Sequence, residues 1–182
     1  MSCYLCNSGK YSKRPGSIRD DSSIEILECN DCGLVYLSSI NHIRENHYED
    51  SGMHGGDEPD IDKWLKETQF DDERRYNFVK EKIARKTILD FGCGAGGFIN
   101  RAQKSANKVS GVELERSLQQ SFNKRNLNVF PDLLVAEKEG YKYDFITAFH
   151  VVEHLSDPKK ILWQNRLTGA TLILVGLVMG TS

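Results

Sequence analysis

The feature that most constrains the fold of this chain is a glycine-rich segment that follows a short apolar run. The segment Ile88–Gly97 reads Ile-Leu-Asp-Phe-Gly-Cys-Gly-Ala-Gly-Gly. Glycine has no Cβ and tolerates positive φ, so a turn of this composition lets the backbone approach a ligand closely. A helix that begins directly after the turn presents unpaired N–H groups to polar ligand atoms. The pattern therefore predicts a strand, a tight turn and a helix that together bind a nucleotide-type cofactor.

The residue before the glycines helps to choose between two classes of cofactor. Gly92, Gly94 and Gly97 fit the G-x-G-x-x-G spacing of dinucleotide-binding folds, in which a ribose-binding acid follows about 20 residues later. Asp90 adds an acid at the predicted strand end, so the segment also reads D-x-G-x-G-x-G. A glycine-rich turn without any ligand is the third interpretation, and four glycines after a buried strand make it the least favoured.

With this second pattern the chain resembles the class I S-adenosylmethionine-dependent methyltransferases, and a nicotinamide-dependent enzyme remains the alternative. The resemblance implies that Asp90 lies near the amino-acid end of S-adenosylmethionine and that the turn passes beneath the nucleoside. It therefore implies cofactor contacts at Gly92, Cys93, Gly94 and Gly96. Cys93 is interpreted as a small packing side chain beneath the cofactor rather than as a nucleophile or a metal ligand.

Two later acids fall where this family binds the nucleoside. Glu113 follows a predicted strand, Lys108–Val112, and lies 23 residues after Asp90 (113 − 90). The two oxygens of one carboxylate can accept both hydroxyls of a ribose, so Glu113 is expected to bind the ribose, with a solvated surface acid as the alternative. Asp132 follows a third predicted strand, Leu127–Phe130. The resemblance implies that Asp132 contacts the adenine amino group, and a helix-capping aspartate is the alternative.

The fourth predicted strand, Tyr143–Phe149, leads into the sequence His-Val-Val-Glu-His-Leu-Ser-Asp-Pro. This segment resembles the hydrophobic-x-Glu-His-hydrophobic-x-Asp-Pro segment of ubiquinone-type and sugar methyltransferases. Ligands of open α/β sheets bind beyond the carboxyl ends of the strands, which places Phe149 at the cofactor and the following residues near its methyl group. His150 is the first candidate for a general base, because histidine titrates near neutrality. Glu153 and His154 are expected to orient His150 in catalysis, or alternatively to stabilise the loop.

Four cysteines near the start of the chain form two C-x2-C pairs separated by 22 residues (29 − 6 − 1), and they are Cys3, Cys6, Cys29 and Cys32. Such pairs are typical of a tetrahedral zinc site with four thiolates, which has no open coordination position and is therefore expected to be structural. Disulfides and a rubredoxin-like iron site remain the alternatives. Nothing resembling a signal peptide precedes Cys3, which favours a cytoplasmic location with reduced thiols.

The 182 residues divide into three predicted parts. Residues 1–40 are expected to form the zinc-binding module, and residues 87–182 a Rossmann-like core that binds S-adenosylmethionine. Between them, residues 41–86 are expected to form a polar loop and then a lid-like helix over Ile61–Lys86. The apolar spacing of this helix is irregular, so a break near Phe70–Asp72 is expected.

The core is expected to be an α/β fold with an incomplete sheet of about five parallel strands. The fifth strand is predicted at Thr171–Val178, after a helix over Pro158–Arg166. Complete members of the resembled class have seven strands in the order 3-2-1-4-5-7-6, and no residues remain here to build the last two. We therefore expect a fragment, with a domain completed by another chain or a minimal variant as alternatives. An unpaired fifth-strand edge would allow a homo-oligomer to form.

The net charge and the length of the apolar runs limit the kinds of partner that this chain could bind. A net charge of −2 gives no electrostatic basis for nucleic-acid binding, and no apolar run reaches the roughly 18 residues of a membrane span. The resemblance implies methyl transfer to a small molecule, a sugar or nucleotide-sugar of surface-polysaccharide or secondary metabolism. It further implies that Tyr48 and His54 touch this substrate, unless the loop is only a polar linker. The alternatives are a catalytically inactive cofactor-binding fragment or partner subunit, and a zinc-ribbon adaptor.

Overall fold

The structure is a computed structural model that describes residues 2–17, 22–39, 59–151, 155 and 170–175. Within these residues the chain forms a three-stranded antiparallel sheet followed by a five-stranded parallel sheet that carries helices on both faces. The expected α/β, Rossmann-like architecture with about five parallel strands and a small N-terminal module is therefore confirmed. No helix in this part of the chain combines the length and the apolar composition that crossing a membrane requires.

The antiparallel sheet consists of β1 (Tyr11–Arg14), β2 (Ile26–Cys29) and β3 (Val35–Leu37), with β2 in the middle. Its interior is small: the buried residues that pack together are Cys3, Leu27, Cys29 and Tyr36. So few apolar side chains cannot offset the conformational entropy of ordering the module, and a further cross-link is needed for it to fold.

The parallel sheet has the strand order β6-β5-β4-β7-β8, and every neighbouring pair is parallel. Its strands are β4 (Thr87–Phe91), β5 (Lys108–Val112), β6 (Val129–Phe130), β7 (Phe145–Phe149) and β8 (Thr171–Val175). From β4 the chain first builds outward through β5 and β6, and then returns to the other side of β4 with β7. The connections after β4 and β7 therefore diverge, and in open α/β sheets the crevice at this carboxyl edge is where ligands bind.

The helices are α1 (Ile61–Ile83), α2 (Gly97–Ala102), α3 (Gln119–Lys124) and α4 (Leu133–Lys138), and a 3-10 turn at Arg116–Leu118 precedes α3. Helices α1, α2 and α3 contribute buried apolar residues to one face of the sheet, and α4 does so on the other face. Successive residues of β4 supply these two faces in turn, with Ile88 in the first cluster and Leu89 in the second. A strand buried on both faces reads as an uninterrupted apolar run, which is why the sequence identified it.

Helix α1 is continuous, so the expected break near Phe70–Asp72 is wrong. The helix begins at the N-cap Asp60, whose carboxylate accepts a hydrogen bond from the Lys63 N–H at 3.0 Å. The irregular spacing arises because Phe70 points to solvent, where its side chain is 80% exposed. The helix ends at Ile83 rather than at Lys86, and the chain then turns through Arg85 with φ of 59°.

Two predicted strands are longer than the observed ones. Leu127 is buried against the core but precedes β6, which contains only Val129 and Phe130. Asp144 precedes β7 and accepts a hydrogen bond from the Thr87 N–H at 2.8 Å. Strand β8 lies at the edge of the described sheet, and a homo-oligomer formed through this edge stays a prediction. The predicted helix over 158–166 and the last three residues of the predicted fifth strand lie outside the described residues.

Candidate cofactor site

The glycine turn lies at the end of β4 and takes a backbone path that other residues rarely adopt. Gly92, Gly94 and Gly96 have φ values of 71°, 52° and 80°, all in the left-handed region. Space is limiting as well, because a Cβ added to Gly92 would lie 2.5 Å from a methyl group of Val151. The turn is therefore fixed both by its dihedral angles and by its neighbours, as the sequence predicted from its glycines.

The N–H groups of the turn are bound by the end of β5. The Gly92 and Cys93 N–H groups donate to the Val112 carbonyl oxygen at 2.9 and 3.1 Å, and the Gly94 N–H donates to the Glu113 carboxylate at 2.7 Å. These three donors are thus used within the protein instead of pointing at an anionic ligand. The turn offers a ligand close backbone approach, which suits a cofactor without phosphate groups.

Glu113 is held rigidly by two backbone donors. One carboxylate oxygen accepts from Gly94, and the other accepts from the Glu115 N–H at 3.1 Å. Burial raises the pKa of Glu113, and these backbone hydrogen bonds partly oppose the rise. Each oxygen keeps a second lone pair that a ribose hydroxyl could use. The position is compatible with the predicted ribose contact, which stays a prediction.

Asp90 is a buried carboxyl at the strand end on the other side of the turn. It is 3% exposed and accepts a hydrogen bond of 2.6 Å from the Thr147 hydroxyl, which lies opposite it on β7. Burial raises the pKa of Asp90 to about 7, although the Thr147 hydrogen bond and the charge of Arg75 act in the opposite direction. A carboxyl of this kind can gain or lose a proton near neutrality, depending on what binds beside it.

Arg75 is a site residue that the sequence did not reveal. Its guanidinium lies over the Phe149 ring, 5.4 Å from the centroid, and forms ion pairs with Asp71 and, at 3.8 Å, with Asp72. Its Nε is buried and has no hydrogen-bond partner among the described residues. The signal in the sequence was weak, since one arginine among many charges on a helix is usually a solvated residue.

The end of β7 carries Phe149, which the sequence placed at the cofactor, and His150, which it placed near the methyl group. Phe149 is buried, and its ring packs edge-on against Phe98 with 4.9 Å between centroids. His150 follows with φ of 57°, an uncommon conformation for a residue other than glycine and one found preferentially at functional sites. Its cofactor and catalytic roles, and that of Phe149, stay predictions.

His150 also lies within electrostatic range of α1. Burial tends to raise the pKa of Asp71, but a hydrogen bond from Arg74 and the charges of Arg75, Arg74 and His150 outweigh it, so this pKa is lowered. The end of β7 and the middle of α1 therefore share one electrostatic environment. Glu153 and His154 lie outside the described residues, as do Tyr48 and His54.

Two further predicted contacts have visible structural roles. Asp132 is the N-cap of α4 and accepts a hydrogen bond from the Val135 N–H at 2.8 Å, as the capping alternative required. This bond uses one carboxylate oxygen, so the predicted adenine contact stays open to the other. Cys93 is buried against Gly111, where an added Cβ would lie 2.8 Å from its sulfur. Burial holds the pKa of Cys93 well above its ordinary value, which disfavours the reactive thiolate form.

Helix α1 contacts α2, the helix that follows the glycine turn, through several polar side chains. The carboxylate of Asp72 lies so close to Gly97 that a Cβ there would overlap it. The Arg101 guanidinium donates to the carboxylate of Glu73 at 3.0 Å and to the carbonyl oxygens of Gln69 and Gly97 at 3.1 and 3.2 Å. These contacts hold the N-terminal half of α1 against the glycine turn.

The four N-terminal cysteines meet in one place. Their sulfur atoms all lie within 4.8 Å of one another, with 3.6 Å between Cys3 and Cys32 and 3.5 Å between Cys6 and Cys29. Metal–sulfur bonds of about 2.3 Å in a tetrahedron require sulfur–sulfur distances of about 3.8 Å, which these values approach. The cysteines are free thiols, so the donor set fits a tetrahedral metal ion.

Tight turns bring each cysteine pair together. After the second pair, Gly33 has φ of 75° and its N–H donates to the Cys29 carbonyl oxygen at 2.9 Å. In the first pair, the Leu5 N–H points at the Cys3 sulfur at 3.4 Å. The Leu5 N–H would stabilise thiolate charge on Cys3, which further suits metal binding.

Comparisons with known proteins agree with this geometry. Residues 57–166, or 110 residues of 182 (166 − 57 + 1), match the family described as "Methyltransferase domain". The ubiquinone biosynthesis O-methyltransferase of Coxiella burnetii is 27% identical over 97 residues, and that of Hydrogenovibrio crunogenus is 31% identical over 98 residues. Each alignment covers 48% of this chain, and it covers 42% and 41% of the respective relative. The chain thus spans about two fifths of the length of these curated relatives.

Two solved structures share the fold. A SAM-dependent methyltransferase from Aquifex aeolicus aligns with a TM-score of 0.51 and 21% identity, over 69% of this chain and 76% of that one. The magnesium protoporphyrin IX methyltransferase of Synechocystis PCC 6803, solved with bound SAH, aligns with a TM-score of 0.52 and 17% identity, over 71% and 68%. Identities this low show the fold alone, whereas the family match covers more than half of the chain. The chain therefore belongs to the methyltransferase domain family, and its core is a class I, Rossmann-like methyltransferase fold.

Proposed function

We propose that this protein binds S-adenosylmethionine in the crevice between β4 and β7 and transfers its methyl group to a small molecule. The observation that carries the proposal is a pair of carboxyls on either side of the glycine turn, Asp90, which is buried, and Glu113, which is partly buried and has a pKa raised by desolvation. Buried acids are costly unless a cation or hydrogen-bond donors bind beside them. The ammonium and ribose hydroxyls of S-adenosylmethionine supply both.

The charges of the crevice suggest the orientation of the cofactor. Asp90 would bind the ammonium group, and Arg75 would bind the carboxylate of the same amino-acid end through its Nε–H, which has no hydrogen-bond partner among the described residues. Glu113 would accept the ribose hydroxyls beside the turn. Asp90 and Arg75 together match the two charges of the amino-acid end, whereas Glu113 matches neutral hydroxyls, and this difference favours one direction of binding.

The residues of the chain contribute mainly by positioning. S-adenosylmethionine supplies an activated methyl group on a sulfonium, so the protein need only align the acceptor and remove a proton from it. His150, at the end of β7, is the proposed acceptor of that proton from a hydroxyl or amine. Glu153 and His154 are proposed to orient it.

The proposed substrate is a sugar or nucleotide-sugar of surface-polysaccharide or secondary metabolism. The support is the resemblance to sugar methyltransferases that carry a cysteine-rich module before this same core. The curated relatives are named as O-methyltransferases, which is compatible with a hydroxyl acceptor. A turnover assay on candidate nucleotide-sugars would test this substrate class. Binding of the cofactor without any turnover would favour the inactive cofactor-binding fragment instead.

For the N-terminal module we propose a zinc ion held by Cys3, Cys6, Cys29 and Cys32. Four thiolates leave no position open, so the ion would be structural and would take no part in the chemistry. Elemental analysis of the purified protein would distinguish zinc from iron, and an iron site would also colour the protein.

The central experiment is a calorimetric titration of the whole chain with S-adenosylhomocysteine, together with a titration by NADH. Binding of the first and not the second is expected. Glu113→Gln should weaken that binding, while Glu137→Gln, at an exposed position of α4, should leave it unchanged. Failure of the intact, metal-loaded chain to bind S-adenosylhomocysteine would overturn the proposed function.

A further inference from the structure

Trp64 lies against the glycine turn. A Cβ built on Gly94 would be 3.3 Å from its Cζ2 atom and 3.9 Å from Cε2 and Cη2, so the benzene ring of the indole faces the turn. The side chain is only partly buried, which leaves part of the ring accessible. An aromatic surface is thus present beside Gly94 of the glycine turn.

The same glycine connects Trp64 to the partly buried carboxyl of Glu113. The Gly94 N–H donates to Glu113, so the indole, the turn and this carboxylate meet around one residue. This is the end of the crevice where the ribose hydroxyls would bind. Arg75, at the other end, lies eleven residues further along α1, which is about 16 Å along a helix. Helix α1 therefore carries a different side chain to each end of the crevice.

The position of Trp64 follows from helix packing rather than from a flexible loop. Asp72 fits against Gly97, and Arg101 bonds to the Gln69 carbonyl oxygen and to Glu73, so α1 is fixed on both sides of its midpoint. Eight residues before Asp72 (72 − 64), or about two helical turns, the indole is held where α1 passes the glycine turn. A preorganised aromatic surface of this kind binds a flat ring with little loss of conformational entropy.

We propose that Trp64 is a cofactor-binding residue that packs against the nucleoside of S-adenosylmethionine and forms the nucleoside wall of the crevice. This inference rests on the proposed function and adds a residue that recognises the adenosine end. Indole rings stack well on purines, because both offer large flat π faces. Glu113 would then fix the ribose from one side while Trp64 covers it from the other.

The first test uses the fluorescence of Trp64 itself. The chain has two tryptophans, so Trp163→Phe leaves Trp64 as the single reporter. Titration with S-adenosylhomocysteine, with adenosine alone and with methionine alone should separate the two ends of the ligand. Saturable changes in emission are expected with the first two compounds and not with methionine. A response to methionine but not to adenosine would overturn the assignment.

The second test measures affinity by calorimetry. Trp64→Ala should weaken binding of S-adenosylhomocysteine by roughly tenfold or more, the loss expected for one stacking platform. Trp64→Phe should recover most of that loss, because a flat ring is retained. Phe70→Ala is the matched control, since it removes an exposed aromatic from the same helix and should leave the affinity unchanged.

The outcomes separate this inference from the proposed function. If the unsubstituted chain does not bind S-adenosylhomocysteine, the proposed function fails as a whole. If the chain binds and both Trp64→Ala and the fluorescence are unaffected, only the role of Trp64 is refuted. Should Trp64→Ala lower the melting temperature, the fluorescence comparison of adenosine with methionine still decides the question in the Trp163→Phe background.

Discussion

The three-stranded module and the parallel-sheet core meet the entropy cost of folding in different ways. In the module, two of the four residues that form the buried cluster of the described chain are cysteines, and the other two are Leu27 and Tyr36. In the core, apolar residues from β4, β5 and the helices fill both faces of a sheet. The module therefore depends on one concentrated interaction, whereas the core depends on many distributed ones.

The comparison also separates two uses of N–H groups. In the module, turn N–H groups point at sulfur atoms that are suited to holding a metal ion. In the core, the N–H groups of the glycine turn are bound by Val112 and Glu113. A turn can thus use its N–H donors to bind a ligand. Alternatively, its donors can be used within the protein, and its glycines then let a ligand approach the backbone closely.

The largest expected effect is on the module. Removing the metal with a chelator, or replacing Cys29 by Ala, should unfold residues 2–39 while the core stays folded. Structural zinc sites contribute about 10–16 kcal/mol in small modules, far more than this interior can replace. Hydrogen exchange resolved by mass spectrometry would measure both regions. Cys93→Ala is the control, since it removes a buried cysteine outside the metal cluster. Equal loss of protection in both regions would show that they do not fold independently.

A smaller effect is expected from a single core residue. Phe98→Ala removes a ring that is 1% exposed and packs against Phe149. The free energy of unfolding of the core should fall by about 3–5 kcal/mol, with the metal content unchanged. Phe70→Ala, at a position 80% exposed, should change it by less than about 0.5 kcal/mol. Urea unfolding followed by circular dichroism would check both, and similar effects for the two variants would contradict the assigned core.

Arg75→Ala should weaken binding of S-adenosylhomocysteine by about 10- to 100-fold, because a hydrogen bond between charged groups contributes about 1.5–3 kcal/mol. Arg74→Ala is the control, since Arg74 also pairs with Asp71 but is largely exposed. Calorimetry with S-adenosylhomocysteine and with decarboxylated S-adenosylmethionine tests the assignment. The Arg75 effect should vanish for the ligand without a carboxylate. An undiminished effect would mean that Arg75 supports the fold of the crevice instead.

The raised pKa of Asp90 predicts that the stability of the fold and the binding of the cofactor depend on pH in opposite directions. Its pKa is about 7 in the fold against an ordinary value of 3.8, so the unfolded chain loses this proton first as pH rises. Its contribution to stability is therefore greatest below about pH 4 and declines as pH rises towards 7. Binding of an ammonium group favours the ionised Asp90 carboxylate. The affinity for S-adenosylhomocysteine should therefore rise as the pH increases towards 7, by up to about tenfold per pH unit.

Titrations of S-adenosylhomocysteine at several pH values check this prediction. Asp90→Asn should bind more weakly and with a flatter pH profile, leaving only the contribution of Glu113, whose pKa is also raised by burial. A profile unchanged by the substitution would exclude Asp90 as the group that binds the ammonium.

The smallest effect concerns Asp132. Asparagine caps helices about as well as aspartate, so Asp132→Asn should leave the stability of the core nearly unchanged, while Asp132→Ala should lower it by about 1 kcal/mol. If the second carboxylate oxygen binds adenine, both variants weaken cofactor binding by a few-fold. Thermal unfolding and calorimetry on the two variants separate capping from recognition.

The sequence predicted the structural features that depend on residues close together in the chain. The strand, turn and helix from Thr87 to Ala102 follow from one apolar run and its glycines, and the cysteine cluster follows from two spacings. Glu113 is a candidate from the sequence because its distance from Asp90 along the chain reflects one strand–helix–strand unit. The solvent-facing Phe70 produced the wrong break in α1, because periodicity assumes that aromatic residues are buried.

Contacts between distant parts of the chain could not be predicted in this way. The pairing of Asp90 with Thr147 joins residues 57 positions apart, and it depends on β4 and β7 being neighbours in the sheet. The position of Arg75 over Phe149 likewise depends on how α1 packs, which no spacing along the helix encodes. The site is therefore predictable where it is built from one segment, and not where two helices or strands build it together.

Gly97 illustrates how a motif can be satisfied for another reason. In the sequence it completed the G-x-G-x-x-G spacing that is associated with dinucleotides. In the fold its missing side chain makes room for the Asp72 carboxylate of a neighbouring helix. A motif search that scores Gly97 as a nucleotide-binding residue would therefore attribute to a ligand a requirement that comes from packing within the protein. Exchanging the turn for one from a dinucleotide enzyme would therefore have to preserve this glycine, whichever cofactor the exchange was meant to introduce.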